Sequence, residues 1–113
     1  MKTTTKIALT SLAFSLATGV AFAAAAAENW DNNCASCHGA DGKGQTKQGK
    51  KLKLRDYTDP KIQAEFKDED MLKAVLEGVK DKNSGKERMK SFKEDISADE
   101  AKDLVAYVRK LKS

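Results

Sequence analysis

Apolar residues recur at helical spacing in two stretches of the chain. Leu72, Val75, Leu76 and Val79 fall at i, i+3, i+4 and i+7, with Asp68 placed to cap the start and Gly78 near the end. Ala101, Leu104, Val105, Val108 and Leu111 form a second stripe, opened by Ser97-Ala98-Asp99-Glu100 at capping-box spacing. Lys110 and Lys112 suit the C-terminal dipole of that helix. A shorter helix is predicted after Asp59-Pro60, with Asp59 as N-cap, Pro60 at the first helical position and Ile62 and Phe66 turned inward. Ala26 to Cys34 reads as an amphipathic helix with Trp30 one turn ahead of Cys34. Residues 39–56 carry Gly39, Gly42, Gly44 and Gly49 among lysines and read as an irregular loop anchored by Leu52 and Leu54. Residues 80–96 read as a charged loop containing Asn83-Ser84-Gly85, Met89 and Phe92. No segment alternates convincingly as a strand, so the pattern predicts an all-α fold.

The N-terminal stretch follows a different logic. Met1 to Lys6 is a short positive segment and Ile7 to Val20 an apolar one interrupted by Thr10, Ser11, Ser15 and Thr18, the organisation of an export signal. Small-residue sites overlap at Ala21-Phe22-Ala23, Ala23-Ala24-Ala25 and Ala25-Ala26-Ala27, placing cleavage between Ala23 and Ala27. Ile7 to Ala27 is long enough to span a bilayer as an uncleaved anchor, but the polar interruptions and the alanine run favour cleavage. The expected organisation is thus a signal peptide at 1–27 and one domain at 28–113, exported to the periplasm and without stable membrane insertion.

Composition sharpens this. A chain of 113 residues holds one small domain, and with 34% charged residues, 6% aromatics and a mean hydropathy of −0.62 it is polar for its size. Something besides its own side chains is expected to fill the middle. Removing the signal takes Lys2 and Lys6 but no acid, so 19 positive side chains face 17 negative ones, a balance of +2. Lys43, Lys47, Lys50, Lys51, Lys53 and Arg55 follow one another without an acid between them, whereas Asp59 to Asp70 is acid-rich. Nucleic acid is a poor partner for an exported chain of mixed charge; steering toward an acidic protein surface fits the basic run better.

Both cysteines and the single histidine stand together in Cys34-Ala35-Ser36-Cys37-His38. In an exported chain this C-x-x-C-H run reads as a c-type haem attachment site: two thiols add to the haem vinyl groups and the adjacent imidazole becomes the proximal iron ligand. A zinc site needs four ligands, and the chain's cysteines and histidine supply three. Thiol–disulfide exchange motifs sit at strand-to-helix junctions, and no strand is evident here. A structural disulfide across two intervening residues closes too small a loop to stabilise a domain much.

Over essentially all of the mature sequence the chain resembles the small monohaem class I cytochromes c. The C-x-x-C-H run lies near the mature N-terminus, Trp30 precedes it by four residues, and Asp103-Leu104-Val105-Ala106-Tyr107-Val108 is similar to that family's final helix. The resemblance implies about four helices around one covalently bound haem c, the first and last crossing, with Ala26, Trp30, Leu104 and Tyr107 at the crossing. If Ala26 is a crossing residue, cleavage falls after Ala23 or Ala25. It further implies a distal methionine from the loop before the last helix, matched by Met89-Lys90-Ser91-Phe92. A soft thioether is chemically apt there and a second histidine is lacking; Met71, beside the Leu72 face, suits a core role. Trp30, Leu52, Leu54, Phe92 and Leu104 are the expected haem-packing residues.

Two departures stand out. Lys90 replaces the proline that usually follows the ligand methionine, and the family's Gly-Pro-x-Leu segment, whose carbonyl accepts from the proximal imidazole, appears as Gly49-Lys50-Lys51-Leu52. The acceptor for His38 is therefore open. The expected function is a periplasmic one-electron shuttle with both axial positions filled, not an enzyme, acting as a monomer on redox proteins with acidic docking surfaces. Three other classes compete with it: a peroxidase or gas-binding haem protein, a disulfide oxidoreductase, and a fixed subunit of a larger redox complex.

Overall fold

A computed structural model describes residues 17–113, with side chains from residue 22 onward. The positive segment Met1–Lys6 and most of the apolar segment Ile7–Val20 lie outside the described residues. The element order is α1 (Ala17–Asn33), α2 (Ala35–His38), α3 (Lys47–Leu52), α4 (Pro60–Glu65), α5 (Asp68–Glu77), β1 (Val79–Lys80), β2 (Glu87–Met89) and α6 (Ala98–Lys110). The all-α expectation holds, with six helices rather than about four among the described residues and one small antiparallel hairpin.

Local signals explain most boundaries. Ser97 Oγ accepts from the Glu100 N–H at 3.1 Å while the Glu100 carboxylate accepts from the Ser97 N–H, so both halves of the capping box form at the head of α6. Asp59 caps α4 through the Lys61 N–H at 2.8 Å, with Pro60 at its first position. Gly78 ends α5 at φ 79°, and a Cβ there would stand 2.6 Å from the Met89 carbonyl oxygen, so only glycine fits. At the other end of α5 the N-cap is Lys67, and Asp68 is already helical: its carboxylate accepts from Arg109 Nε at 2.8 Å instead. α1 extends the expected Ala26–Cys34 helix back through the alanine run, in keeping with alanine's helix propensity.

Helix α3 lies inside the segment expected to be an irregular loop. Thr46 Oγ1 accepts from the Gly49 N–H at 2.9 Å and donates to the Cys37 carbonyl at 2.6 Å, nucleating a short helix against the haem motif. The strands, of two and three residues, are too short for alternation to reveal them; Val79 pairs with Met89 and Lys80 with Glu87. Val79 therefore leaves the α5 stripe and is exposed.

The first and last helices pack together as expected. Ala26 and Trp30 of α1 are buried with Ala101, Leu104, Val105 and Val108 of α6, Trp30 lies 5.5 Å from the Tyr107 ring, and Asn29 Nδ2 donates to Glu100 Oε2 at 3.0 Å across the junction. Phe92 and Ile96 complete this core. In α4 the buried residue is Gln63, while Ile62 and Phe66 are half-buried. Gln63 replaces the expected apolar contact because its amide meets backbone groups of both Tyr57 and Val108.

Candidate haem site

α1 and α2 deliver the C-x-x-C-H run. The helix breaks at Cys34, whose N–H still donates to the Trp30 carbonyl at 2.9 Å while its own carbonyl accepts from the His38 N–H at 2.9 Å, so the run turns as one unit with its two thiols and one imidazole. Trp30 Nε1 donates to the Gly39 carbonyl at 3.0 Å and locks the end of the motif to α1. The thiols are not joined in a disulfide. Burial, and then the neighbouring Cys37, push the Cys34 thiol up to about 11, so it stays protonated at neutral pH, unlike the lowered thiols of exchange motifs. Burial also holds His38 below its usual value, which keeps the imidazole neutral, the form that ligates metals.

A cleft opens in front of this motif. Trp30, Cys34, His38, Met89 and Leu104 line it, bringing together five of the residues expected from the sequence. Cys37 is half-buried and outside the lining. None of the expected packing residues Phe92, Leu52 and Leu54 lines the cleft: Phe92 packs into the buried core with Ile96, and Leu52 and Leu54 are half-buried where the chain coils into α3 and the turn after it. The wall is completed by Tyr57, Met71, Ala74, Val75, Val105 and Val108. Val105 and Val108 extend the predicted α6 stripe; Met71 and Val75 come from the predicted α5 face. Tyr57 carried no periodic signal, and only the fold stacks it on His38, ring centroids 5.4 Å apart at 26°.

The hairpin supplies another rim of the cleft. Met89 ends β2 and is half-buried, with its strand held to α5 by the Phe92 N–H on the Val75 carbonyl at 2.9 Å and by Ser91 Oγ on the Leu76 carbonyl at 2.5 Å. Among the described residues His38 Nδ1 is the one buried side-chain polar atom without a hydrogen-bond partner. Unbonded thiols, a neutral imidazole and an apolar cleft with a thioether at its rim make a donor set that fits haem c.

Comparison with known proteins decides the family: a family model described as Cytochrome c matches residues 23–112. The chain belongs to the cytochrome c family. Among solved structures, this cytochrome c is similar to one described as KustC0563 c-type cytochrome, at 33% identity and a TM-score of 0.67, covering 78% of this chain and 98% of that one. It is also similar to a structure described as a tyrosine-to-phenylalanine mutant of Kustc0563, at 33% identity and a TM-score of 0.65, covering 77% and 98%. Comparison with the curated proteins finds no match. The cytochrome c binds covalently attached haem c and is an electron carrier that works through it with redox partners. No helix among the described residues is long and apolar enough to cross a membrane.

Proposed function

We propose that this cytochrome c is a periplasmic one-electron shuttle whose haem is bonded to Cys34 and Cys37 and held at iron by His38 and Met89. The observation that carries this reading is convergence: Cys34 and His38, and Met89 far along the chain from them, line one apolar cleft. The bound haem supplies reversible one-electron chemistry at its iron.

The chain's residues do the rest. His38 offers a neutral nitrogen and Met89 a soft sulfur, a pairing that favours the reduced state and raises the potential. Trp30, Leu104, Val105 and Val108 exclude water, which works in the same direction by disfavouring the additional charge of the oxidised iron. Were His38 and Met89 both to hold the iron, oxygen and peroxide would find no open site, and electron transfer would be favoured over oxygen chemistry.

Docking falls to the basic segments. Lys50, Lys51, Lys53 and Arg55 are exposed, as are Lys86, Arg88, Lys90 and Lys93, and the Arg88 guanidinium donates to the Leu52 carbonyl, joining the two segments into one surface. Partners with acidic docking surfaces meet it in small, transient, salt-sensitive encounters while the cytochrome remains a monomer. Export uses the N-terminal signal segment. The burial pattern supports removal before Ala26, since among the described side chains Phe22 to Ala25 are exposed and Ala26 is the first that is buried.

The test is a reduced-minus-oxidised spectrum of the exported protein, repeated after acid-acetone extraction and on Met89→Ala and Met71→Ala. Covalent haem survives extraction, and a far-red ferric thioether band disappears in Met89→Ala but remains in Met71→Ala. Extractable haem would overturn attachment at the cysteines, and a band lost only in Met71→Ala would move the distal ligand to α5.

A further inference from the structure

Among the described residues no protein group accepts from the buried His38 Nδ1. The carbonyls that stand where the family's Gly-Pro segment would provide one accept instead in closing α3: Gly49 from the Leu54 N–H at 2.9 Å and Lys50 from the Lys53 N–H at 3.2 Å. What touches the imidazole instead is aromatic. Tyr57 stacks on it at 5.4 Å, and the Trp30 ring lies 5.7 Å away, tilted by 39°. Trp30 is already fixed by its bond to Gly39.

Tyr57 is fixed by its backbone. Its N–H donates to the Gly42 carbonyl at 2.9 Å, and its carbonyl accepts from Gln63 Nε2 at 2.7 Å. Gln63 is 5% exposed, and its amide also donates to the Val108 carbonyl in α6 at 2.6 Å. Arg109 holds it from the far side: Nη1 donates to Gln63 Oε1 at 3.2 Å and to the Gln63 carbonyl, while Nη2 donates to the Phe66 carbonyl at 2.6 Å. A buried amide is costly unless its donors and acceptor are all used, and here they are. A leucine could join α4 to α6 by packing alone, but could not tie the Tyr57 carbonyl to the last helix.

We propose that Gln63 is a positioning residue for the haem site: through the Tyr57 carbonyl it fixes the Tyr57 ring against His38 and so sets the plane of an imidazole that no acceptor sets through Nδ1. This rests on the reading of His38 as an iron ligand. The imidazole plane, together with the orientation of the other axial ligand, directs how unpaired spin spreads over a ferric haem, so the hyperfine-shifted haem methyl resonances are sensitive to it.

Proton NMR spectra of the ferric protein would be compared for wild type, Gln63→Leu, Gln63→Glu, Tyr57→Leu, Tyr57→Phe and Ser97→Ala. The order and spread of the methyl resonances change in Gln63→Leu, Gln63→Glu and Tyr57→Leu. Tyr57→Phe, which keeps the ring, keeps the wild-type pattern. Ser97→Ala is the control for instability alone: its Tm falls and its pattern does not move. Gln63→Glu retains the shape and the Arg109 contact but cannot donate, so it answers the question even where Gln63→Leu fails to fold. A wild-type pattern in the Gln63 variants, with Tm lowered as in the control, would overturn the relay and leave His38 ligation standing. Absence of ligating-imidazole resonances in the wild type itself would overturn both.

Discussion

The two walls of the haem cleft are built to different standards. On the His38 side, Trp30, Cys34, Ala101 and Leu104 are buried and the motif is tied to α1, α3 and Gly39 by backbone and side-chain bonds. On the Met89 side, a hairpin with only two residue pairs has Val79, Lys80, Glu87 and Arg88 exposed and leans on α5 through Phe92 and Ser91. Segments with few buried contacts open locally at low cost, while buried helices open only with the whole domain. The wall that carries the attachment motif is also the wall that carries most of the core, whereas Met89, the proposed distal ligand, sits on a strip expected to open at lower cost than the helices. Lys90, standing where the family usually has proline, adds to that freedom.

Variants can break this asymmetry. The largest effect is expected on the His38 side: Leu104→Ala should cost about 2–5 kcal/mol in chemical denaturation, because it leaves a cavity at the helix junction and beside the cleft. Gly78→Ala should cost more than about 1 kcal/mol, since its left-handed φ and the Met89 carbonyl 2.6 Å from a Cβ both resist a side chain. Its signature should be distal: weakening of the far-red thioether band at temperatures below global unfolding. Loss of the α6 cap in Ser97→Ala should cost about 1 kcal/mol, with the thioether band unchanged until unfolding.

The smallest effect is acid sensitivity. Hydrogen bonds from Asn29 and Ser97 hold Glu100 below its ordinary value of 4.5, and those from Ser84 and Asn83 hold Asp81 below 3.8. In each case the unfolded chain binds its proton first as pH falls, so the contribution is complete well above these values and fades as pH drops through the lowered ones. Acid titration followed by circular dichroism should show Glu100→Gln losing part of the pH dependence of global stability. Asp81→Asn should alter only the acid lability of the thioether band. If both variants acted on global unfolding alike, the hairpin would not be an independent unit.

Much of the fold was legible in short sequence signals. Ser97 to Glu100, Asp59-Pro60 and Gly78 each place a helix end by chemistry confined to a few residues, and the α6 stripe named four residues that are buried. Asp68 was misplaced by one residue because an acid at the first helical turn satisfies the same dipole as a cap, and Arg109, distant in sequence, engages it. Helix α3 left a faint mark, Thr46 three residues before Gly49, hidden among glycines and lysines. Gln63 left none, because a polar residue between Ile62 and Phe66 is buried only where distant carbonyls await its amide.

The sequence by itself determined the helices' capping chemistry and the family's attachment motif, because these depend on residues within about one or two turns of each other. Tertiary structure alone decided that Met89 and Met71 line the same cleft, that Leu52 and Leu54 do not, and that Tyr57 rather than a backbone acceptor faces His38. Those outcomes depend on how far-separated segments close on one another, and closure is settled by burial and hydrogen-bond satisfaction over the whole domain rather than by local spacing.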